Sequence, residues 1–275
     1  MKRIERVGAM IHILGQNPNK IFSLAHFCRL FESAKSSISE DAALARQILE
    51  QAGAGRIETA AGAKGGLRYA PYLSAEDGRK LLAELCEKLN DRSRILANGF
   101  LYTSDVMFDP RIMKRAAQIF ASQFGDKGGD CVVTVETKGI PVALMTAELL
   151  NLPLVVIRRE SKISEGSTVS INYFSGSTER IQRMSISKRA VKAGNRAIII
   201  DDFMRAGGSI KGIKDMMREF EVEVAGVGVV IAAKHPEKKK VQEYFPLLYL
   251  GDVDEEAGKI EIFHNEEVFG ERIME

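Results

Sequence analysis

The sequence has few of the residues from which disulfide frameworks and metal sites are built. Its three cysteines, Cys28, Cys86 and Cys131, are odd in number and form no C-x-x-C pair, and its four histidines are scattered. This spacing argues against a disulfide framework and gives no metal-ligand pattern, so we predict reduced thiols and no metal site. Reduced thiols are typical of a cytoplasmic protein.

Long apolar segments are also absent. No run approaches the roughly 18 residues of a membrane span, and the basic N-terminus "MKRIERVGAM" lacks the continuous apolar core of a signal peptide. We therefore expect a cytoplasmic protein with no membrane contact. At 275 residues the chain is long enough for one large domain, or for a small domain followed by a medium one.

The chain has no large excess of charge of one sign, since its formal net charge is +2. The balance is uneven along the sequence, however. Residues 1–73 carry ten Lys or Arg against six Asp or Glu, whereas the remainder carries 29 against 31. A basic segment ahead of a nearly neutral body indicates a polyanion contact at the N-terminus.

Residues 1–73 have the pattern of three helices followed by a hairpin. Apolar residues recur at helical spacing in the first helix, at Ile4, Val7, Met10, Ile11 and Leu14. Ser23 is a predicted N-cap for a short second helix. After a tight connection, Ser36 or Ser37 is predicted to cap a third helix, with Glu40 and Asp41 in its first turn. The residues expected to face the first two helices are Ile38, Ala42, Ala45 and Leu49.

The segment "RIETAAGAKGGLRYAPY" predicts a hairpin with a glycine-rich tip. Helix-helix-helix-hairpin is the order of a winged-helix domain, in which the third helix enters the major groove and the wing follows the backbone. The predicted DNA contacts are Lys35, Ser36, Ser37, Ser39 and Arg46 on the helix, with Lys64 and Arg68 on the wing. A dimerisation module is the alternative, because Glu40 and Asp41 disfavour close approach of phosphates.

From residue 74 onward, short apolar strands alternate with helices. The strands "DCVVTV", "PLVVIRR", "AIIID" and "VAGVGVVIA" are separated by helical segments, and a long polar stretch covers 160–195. This alternation predicts an α/β fold with a parallel sheet wrapped by helices. We therefore divide the chain into residues 1–73 and 74–275. A long polar segment such as this one is more often functional than idle.

The stretch "AIIIDDFMRAGGS" places two adjacent carboxylates at the end of a predicted strand, followed by a glycine-rich loop and a serine. Two neighbouring acceptors suit the vicinal hydroxyls of a ribose, while loop amides at a helix start suit a phosphate. The alternative is a turn in which Asp202 merely caps the helix. The stretch resembles the phosphoribosyl pyrophosphate (PRPP) signature of type I phosphoribosyltransferases. By that resemblance the ligand contacts are Asp201, Asp202, Phe203, Met204, Arg205, Ala206, Gly207, Gly208 and Ser209.

A second segment, "TVETKGIP", is similar to the pyrophosphate loop of the same family, which assigns Thr137, Lys138 and Gly139 to the diphosphate. The alternative is a surface lysine on a turn. Arg158 and Arg159, at the end of their strand, are candidate phosphate contacts. By the same resemblance, residues 160–188 occupy the place of the family's mobile loop over the site. Tyr102 is a candidate for stacking on a purine, with core packing as its alternative. One departure from the signature is that Ala206 stands where many transferases have Thr or Ser, while Arg205 adds a cation.

The basic prefix and the signature together, with "FESAKSSISEDAALARQILEQ", "GAKGGLRYAP" and "SEGSTVSINYFSGS", resemble the bacterial purine operon regulators over nearly the whole chain. The resemblance implies a homodimeric transcription regulator that binds palindromic operator boxes in double-stranded DNA near purine genes. It also implies PRPP as effector, guanosine tetraphosphate as a competing effector, Mg²⁺ alongside PRPP, and no transferase activity.

We predict a repressor that PRPP releases from DNA. The alternative is an activator that PRPP engages through the same site. We expect PRPP to act by ordering residues 160–188 and by adding negative charge that disfavours DNA. Two other hypotheses stay open: an active purine phosphoribosyltransferase with an N-terminal extension, and an oligomerisation module joined to a nucleotide sensor.

Overall fold

The structure is a computed structural model that describes residues 1–62, 65–160, 166–175 and 180–269. It divides into two compact units, Met1–Ser74 with Glu148–Asn151, and Ala75–Ala147 with Leu152–Glu275. The described helices are α1 Arg3–Gly15, α2 Leu24–Phe31, α3 Lys35–Gln51, α4 Ala75–Leu89, α5 Ser104–Met107, α6 Pro110–Phe124, α7 Ile140–Leu150 and α8 Gly208–Glu219. In these described ranges, no helix combines the length and apolar character needed to cross a membrane.

The strands form one large sheet and three small hairpins. Their bounds are β1 Arg56–Ala60, β2 Gly66–Ala70, β3 Ile95–Leu96, β4 Phe100–Leu101, β5 Cys131–Val135, β6 Leu154–Ile157, β7 Thr168–Ser175, β8 Arg180–Ser187, β9 Arg196–Met204, β10 Glu223–Ala233, β11 Phe245–Asp254 and β12 Lys259–His264. The large sheet has the order β12-β11-β10-β9-β5-β6. Its strands are parallel except for β12, which is antiparallel to β11 at one edge. The predicted α/β fold with an N-terminal helical domain is confirmed.

The N-terminal unit packs α1, α2 and α3 against the β1–β2 hairpin. Ser23 caps α2 as predicted, because its hydroxyl accepts the His26 N–H at 3.2 Å. All four residues of α3 expected to face the other helices are buried. Ile4 lies in α1 as its spacing predicts but does not join the core, since its side chain is 80% exposed at the start of the helix. The periodicity places Ile4 on the apolar face, but the first turn of α1 extends beyond the core.

The start of α3 differs from the prediction. The helix begins at Lys35 with Ala34 in the cap position and no side-chain cap, so neither predicted serine cap is correct. Glu32 ends α2 in the left-handed conformation, and the Ser33 hydroxyl donates back to the Phe31 carbonyl at 3.0 Å. The chain therefore re-enters a helix earlier than the serine pattern indicates.

Because α3 starts earlier, Asp41 lies beyond its first turn, and its side chain is fully buried. It accepts the Arg6 guanidinium at 2.6 Å from Nε and 3.3 Å from Nη2. A buried carboxylate requires such a paired cation. Asp41 therefore joins α3 to α1 and does not face a phosphate.

The polar stretch after β6 contains an antiparallel hairpin and is not a long loop. β7 and β8 pair from Thr168 opposite Ser187 to Ser175 opposite Arg180. The residues Val169, Ile171 and Tyr173 alternate with polar ones, which is the pattern of a strand with one buried face. That face packs on α8, where a Cβ at Gly212 would lie 3.0 Å from side-chain atoms of Tyr173 and Met184.

Two glycines in β10 make room for the aromatic face of α6. A Cβ at Gly226 would lie 2.7 Å from the Phe124 ring, and one at Gly228 would lie 2.8 Å from the Phe120 ring. Both rings also contact Phe245 of β11: the centroid of Phe120 lies 6.4 Å from that of Phe245, and the centroid of Phe124 lies 6.2 Å from it. The glycines thus let α6 pack directly against the central strands.

We expect Gly228→Ala to destabilise the larger unit by about 1–3 kcal/mol, because the added methyl group overpacks the Phe120 contact. The measurement is denaturant unfolding of the full chain. In a Phe120→Leu background the smaller side chain leaves room for the methyl group, so the same substitution should cost much less. Equal costs in the two backgrounds would show that the close packing of Phe120 is not the cause.

Candidate functional site

The paired carboxylates lie inside β9 and are not at its end, because the strand continues to Met204. Asp201 is buried, and its Oδ1 would lie only 2.6 Å from a Cβ built at Gly139. Thr134 Oγ1 lies at the same distance from that position, and in the described part of the chain this buried hydroxyl has no hydrogen-bond partner. Successive strand residues point to opposite faces. The two carboxylates therefore have different surroundings: Asp201 lies beneath Gly139, and Asp202 is half-buried.

The surroundings of both carboxyls raise their pKa values. Burial, then the charge of Asp202, raises the pKa of Asp201 well above its ordinary value. Burial also raises the pKa of Asp202, although the hydrogen bond with Asp201 and the Lys138 cation act in the opposite direction. The pair is therefore suited to ligand groups that donate hydrogen bonds to it.

The predicted pyrophosphate loop connects β5 to α7. Thr137 is exposed, Lys138 half-buried and Gly139 buried; the peptide between Glu136 and Thr137 is cis. Lys138 Nζ donates to the Thr103 hydroxyl at 3.4 Å, and its charge acts on Asp202. The structure therefore brings this loop and the carboxylates together at the edge of the sheet where the carboxyl ends of β5 and β9 meet.

The two arginines after β6 have different surroundings. Arg158 pairs with Glu136 at 3.4 Å, and its backbone exchanges hydrogen bonds with Ser185 of β8 at 2.9 and 2.7 Å. The Arg159 N–H donates to the other Glu136 oxygen at 2.7 Å, and the Arg159 charge lowers the pKa of Asp201. Arg159 is thus the arginine that acts electrostatically on the carboxylates, while Arg158 contacts Glu136.

The glycine-rich loop after β9 turns at Gly207, which has φ of 77°, and α8 begins at Gly208. Phe203 continues β9 beside β10, and Met204 is buried beneath the loop. Arg205 is exposed, and the residues Ala206 and Ser209 are half-buried. The loop has the form that the signature predicts, with backbone amides at a helix start.

Tyr102 and Phe100 lie in the segment before α5, and their side chains are 45% and 43% exposed. Arg94 positions this segment through Asp105, at 2.7 and 2.8 Å, and through the Tyr102 carbonyl at 3.1 Å. The expected alternative of core packing for Tyr102 is therefore wrong. Its neighbour Thr103 is buried and is the contact of Lys138; no sequence pattern identifies this threonine.

The N-terminal unit has a groove of about 630 Å³ between α2, α3 and the β1–β2 hairpin, which we call the wing groove. Its described lining residues include three cations and no acidic residue: Leu24, Ala25, Cys28, Arg29, Lys35, Ser39, Ala42, Ala43, Arg46, Thr59, Ala60, Gly62, Gly65, Gly66 and Leu67. The groove therefore suits a polyanion. Arg29 was missed by sequence analysis because the helical pattern identifies only the buried face of α2.

The predicted DNA contacts are placed unequally. Lys35, Ser36 and Ser39 are exposed along α3, and Ser37 is half-buried. Two predicted cations are engaged within the domain. Arg46 donates to the Ile57 carbonyl at 2.8 Å and the Thr59 hydroxyl at 3.1 Å, and Arg68 pairs with Glu58 at 2.7 Å. Lys64 lies outside the described residues.

Across the residues that the structure describes, no group of three or more His, Cys, Asp and Glu side chains is arranged to hold a metal ion.

Comparison with protein-family models gives two matches. A model described as "Bacterial purine repressor, N-terminal" matches residues 2–71, and "Phosphoribosyl transferase domain" matches residues 107–255. Among solved structures, the adenine phosphoribosyltransferase of Rhodothermus marinus is similar with a TM-score of 0.53 and 18% identity, covering 62% of this chain and 99% of that one. This likeness shows the fold of the larger unit.

The chain is also similar to whole regulators. It is 41% identical to the purine biosynthesis transcriptional repressor PurR of Bacillus subtilis, over 95% of this chain and 92% of that protein. It is 37% identical to the purine biosynthesis transcriptional activator PurR of Lactococcus lactis, over 92% and 94%. The xanthine phosphoribosyltransferase of Oenococcus oeni is 28% identical over 65% of this chain and 89% of that protein. The chain therefore belongs to the PurR family of bacterial purine biosynthesis transcription regulators.

Proposed function

We propose that this regulator binds operator DNA through its winged-helix unit and senses PRPP in the pocket of its phosphoribosyltransferase-like unit. The observation that carries the proposal is the meeting of Lys138, the adjacent carboxylates Asp201 and Asp202, and the loop from Arg205 to Ser209 at one edge of the sheet. PRPP is a ribose that carries a diphosphate at one end and a phosphate at the other. Its phosphates provide negative charge for the two loops, and its hydroxyls donate hydrogen bonds to the carboxylates.

Within this site, Asp202 is the carboxylate that accepts the ribose hydroxyls. Asp201 lies beneath Gly139 and positions Asp202, whose backbone N–H donates to Asp201 Oδ1 at 3.0 Å. Lys138, with the amides of Thr137 and Gly139, binds the diphosphate, and the amides after Ala206 bind the remaining phosphate. Tyr102 is exposed in the segment beside Lys138, where a purine ring of a competing nucleotide can stack.

We infer that the pocket senses its ligand without transferring it. Ala206 removes a hydroxyl at the phosphate loop, and the chain is similar over nearly its whole length to regulators. Purine transfer is the second candidate function, favoured by the xanthine phosphoribosyltransferase similarity. Release of pyrophosphate from PRPP with each purine base in turn tests it: no product is expected, and turnover would establish an enzyme.

The remaining ligands and partners are proposed on the same chemistry. Guanosine tetraphosphate is a proposed competitor, since its phosphates and ribose meet the same cations and carboxylates. Mg²⁺ is proposed to enter with PRPP, whose phosphate oxygens are its natural ligands. We propose a homodimer on a palindromic operator, because the two-fold symmetry of a dimer matches the symmetry of such a site.

PRPP can alter operator occupancy only if its affinity differs between the DNA-competent and DNA-incompetent states. The relatives include a repressor and an activator, so membership of the family does not determine the sign of regulation. We propose a repressor relieved by PRPP. The β7–β8 hairpin, with its backbone joined to Arg158, is the element through which ligand binding is communicated.

We expect Asp202→Asn to weaken PRPP binding roughly tenfold or more, because hydrogen bonds to a charged group are each worth about 1.5–3 kcal/mol. The same variant should unfold at a higher temperature than the wild type at neutral pH. Because burial raises the pKa of Asp202 in the folded state, its ionised form costs stability at pH values above that pKa. Calorimetry and thermal unfolding of the full chain provide the two readouts.

The matched control is Asp215→Asn, which removes a half-buried carboxylate that pairs with Lys211 on α8 and should leave PRPP affinity unchanged. The stability gain of Asp202→Asn should shrink as the pH falls and the wild-type carboxyl becomes protonated. Unchanged PRPP affinity in Asp202→Asn would contradict the ribose assignment. A loss of affinity accompanied by lower stability would indicate a folding defect.

We expect Lys35→Ala to weaken operator binding and to reduce the salt dependence of binding by about one unit of the log–log slope, as for the loss of one phosphate contact. Arg46→Ala should instead lower the unfolding temperature, because Arg46 joins α3 to the hairpin. The control is Lys20→Ala, an exposed cation of the same unit outside the wing groove. If the control and Lys35→Ala changed the slope equally, the assignment of the wing groove would be wrong.

A further inference from the structure

The segment that comes after β10 folds back onto the phosphate loop of the proposed PRPP site. The Lys240 N–H donates to the Ala206 carbonyl at 2.9 Å. A Cβ at Gly207 would lie 3.4 Å from the Val241 nitrogen, which is ordinary contact. Residues 239–241 therefore form one wall of the loop that begins at Arg205.

This wall brings a second cation to Arg205. Lys239 is half-buried between two exposed lysines, and its Nζ donates to the Lys234 carbonyl at 3.2 Å, which keeps the side chain close to the protein. Burial, and after it the charge of Arg205, lowers the pKa of Lys239. Among the described residues, neither Arg205 nor Lys239 has a carboxylate within ion-pair distance. Two cations without a carboxylate partner, on backbone segments that the Lys240–Ala206 hydrogen bond joins, favour an anion beside them.

Arg205 and Lys239 lie beside Ala206, the residue at which this chain departs from the phosphoribosyltransferase signature. Ala206 provides no hydroxyl to the phosphate, and its carbonyl is the acceptor that anchors the lysine segment. The loss of a neutral donor is thus accompanied by cations from two separate parts of the chain.

We propose that Lys239, together with Arg205, binds the sugar-phosphate end of the ligand and replaces the hydroxyl that Ala206 lacks. This inference rests on the proposed PRPP site and adds a residue to it from outside the signature. The chemical class it selects is a ribose 5-phosphate, whereas the diphosphate remains with Lys138. Because both groups are cations, binding of this phosphate is expected to weaken with salt more than a hydroxyl contact would.

The test compares Lys239→Gln with Lys238→Gln, its exposed neighbour, in the full chain. Calorimetric titrations use PRPP, ribose 5-phosphate and inorganic pyrophosphate as three separate probes. Lys239→Gln should weaken PRPP and ribose 5-phosphate about tenfold, with pyrophosphate unchanged. Lys238→Gln should match the wild type for all three. Lys138→Gln should show the opposite selectivity, with weaker pyrophosphate binding and unchanged ribose 5-phosphate binding.

The outcomes separate this inference from the proposed function. If the wild type binds PRPP and Lys239→Gln binds it equally well, the inference is wrong and the PRPP site stands. If Lys239→Gln weakens pyrophosphate as much as ribose 5-phosphate, the lysine acts as a general positive charge and the assignment is overturned. If the wild type binds neither PRPP nor ribose 5-phosphate, the proposed function fails and this inference fails with it. Thermal unfolding of each variant establishes that a loss of binding does not come from misfolding.

Discussion

The placement of two adjacent carboxylates near the carboxyl edge of the sheet, with Asp201 buried and Asp202 half-buried, is the constraint on which the rest of the site depends. Burial raises the pKa of both carboxyls, and the charge of Asp202 raises the pKa of Asp201 further. The neighbouring residues reduce the cost of placing two carboxylates side by side. Gly139 leaves room for Asp201, while Lys138 and Arg159 provide opposing charge. Such a pair is retained where a ligand with hydrogen-bond donors compensates it, and a ribose has two adjacent donors.

Binding of a ligand at this site is distinct from the consequence of that binding. The phosphoribosyltransferase fold positions a sugar phosphate, but a fold does not determine the consequence of binding. Here Ala206 weakens the neutral part of the phosphate loop, and Arg205 and Lys239 surround it with charge. A regulator needs only that the bound and free states differ in their affinity for DNA. We propose the wing groove, with three cations and no acid among its described lining, as the surface for that second ligand.

Sequence patterns predicted the features that local chemistry determines. The apolar run, carboxylate pair and glycines identified a strand that leads into a glycine-rich loop at a helix start, and Ser23 identified the start of α2. They failed where a distant partner decides the outcome. The buried ion pair with Arg6 gives Asp41 a structural role, and a serine-rich start did not reveal that Ala34 precedes α3. The β7–β8 hairpin was missed because its polar composition obscured the alternation of Val169, Ile171 and Tyr173. Lys239 lies 30 residues beyond the signature, where no motif points to it.

The central claim is that PRPP and operator DNA are thermodynamically coupled through this chain. The most direct measurement is the operator affinity with and without saturating PRPP, at several salt concentrations, together with the PRPP affinity with and without operator. Linkage requires that PRPP change the operator affinity by the same factor as operator changes the PRPP affinity, at each salt concentration. We predict that PRPP weakens operator binding. Operator affinity that is the same with and without PRPP at every salt concentration would contradict the account.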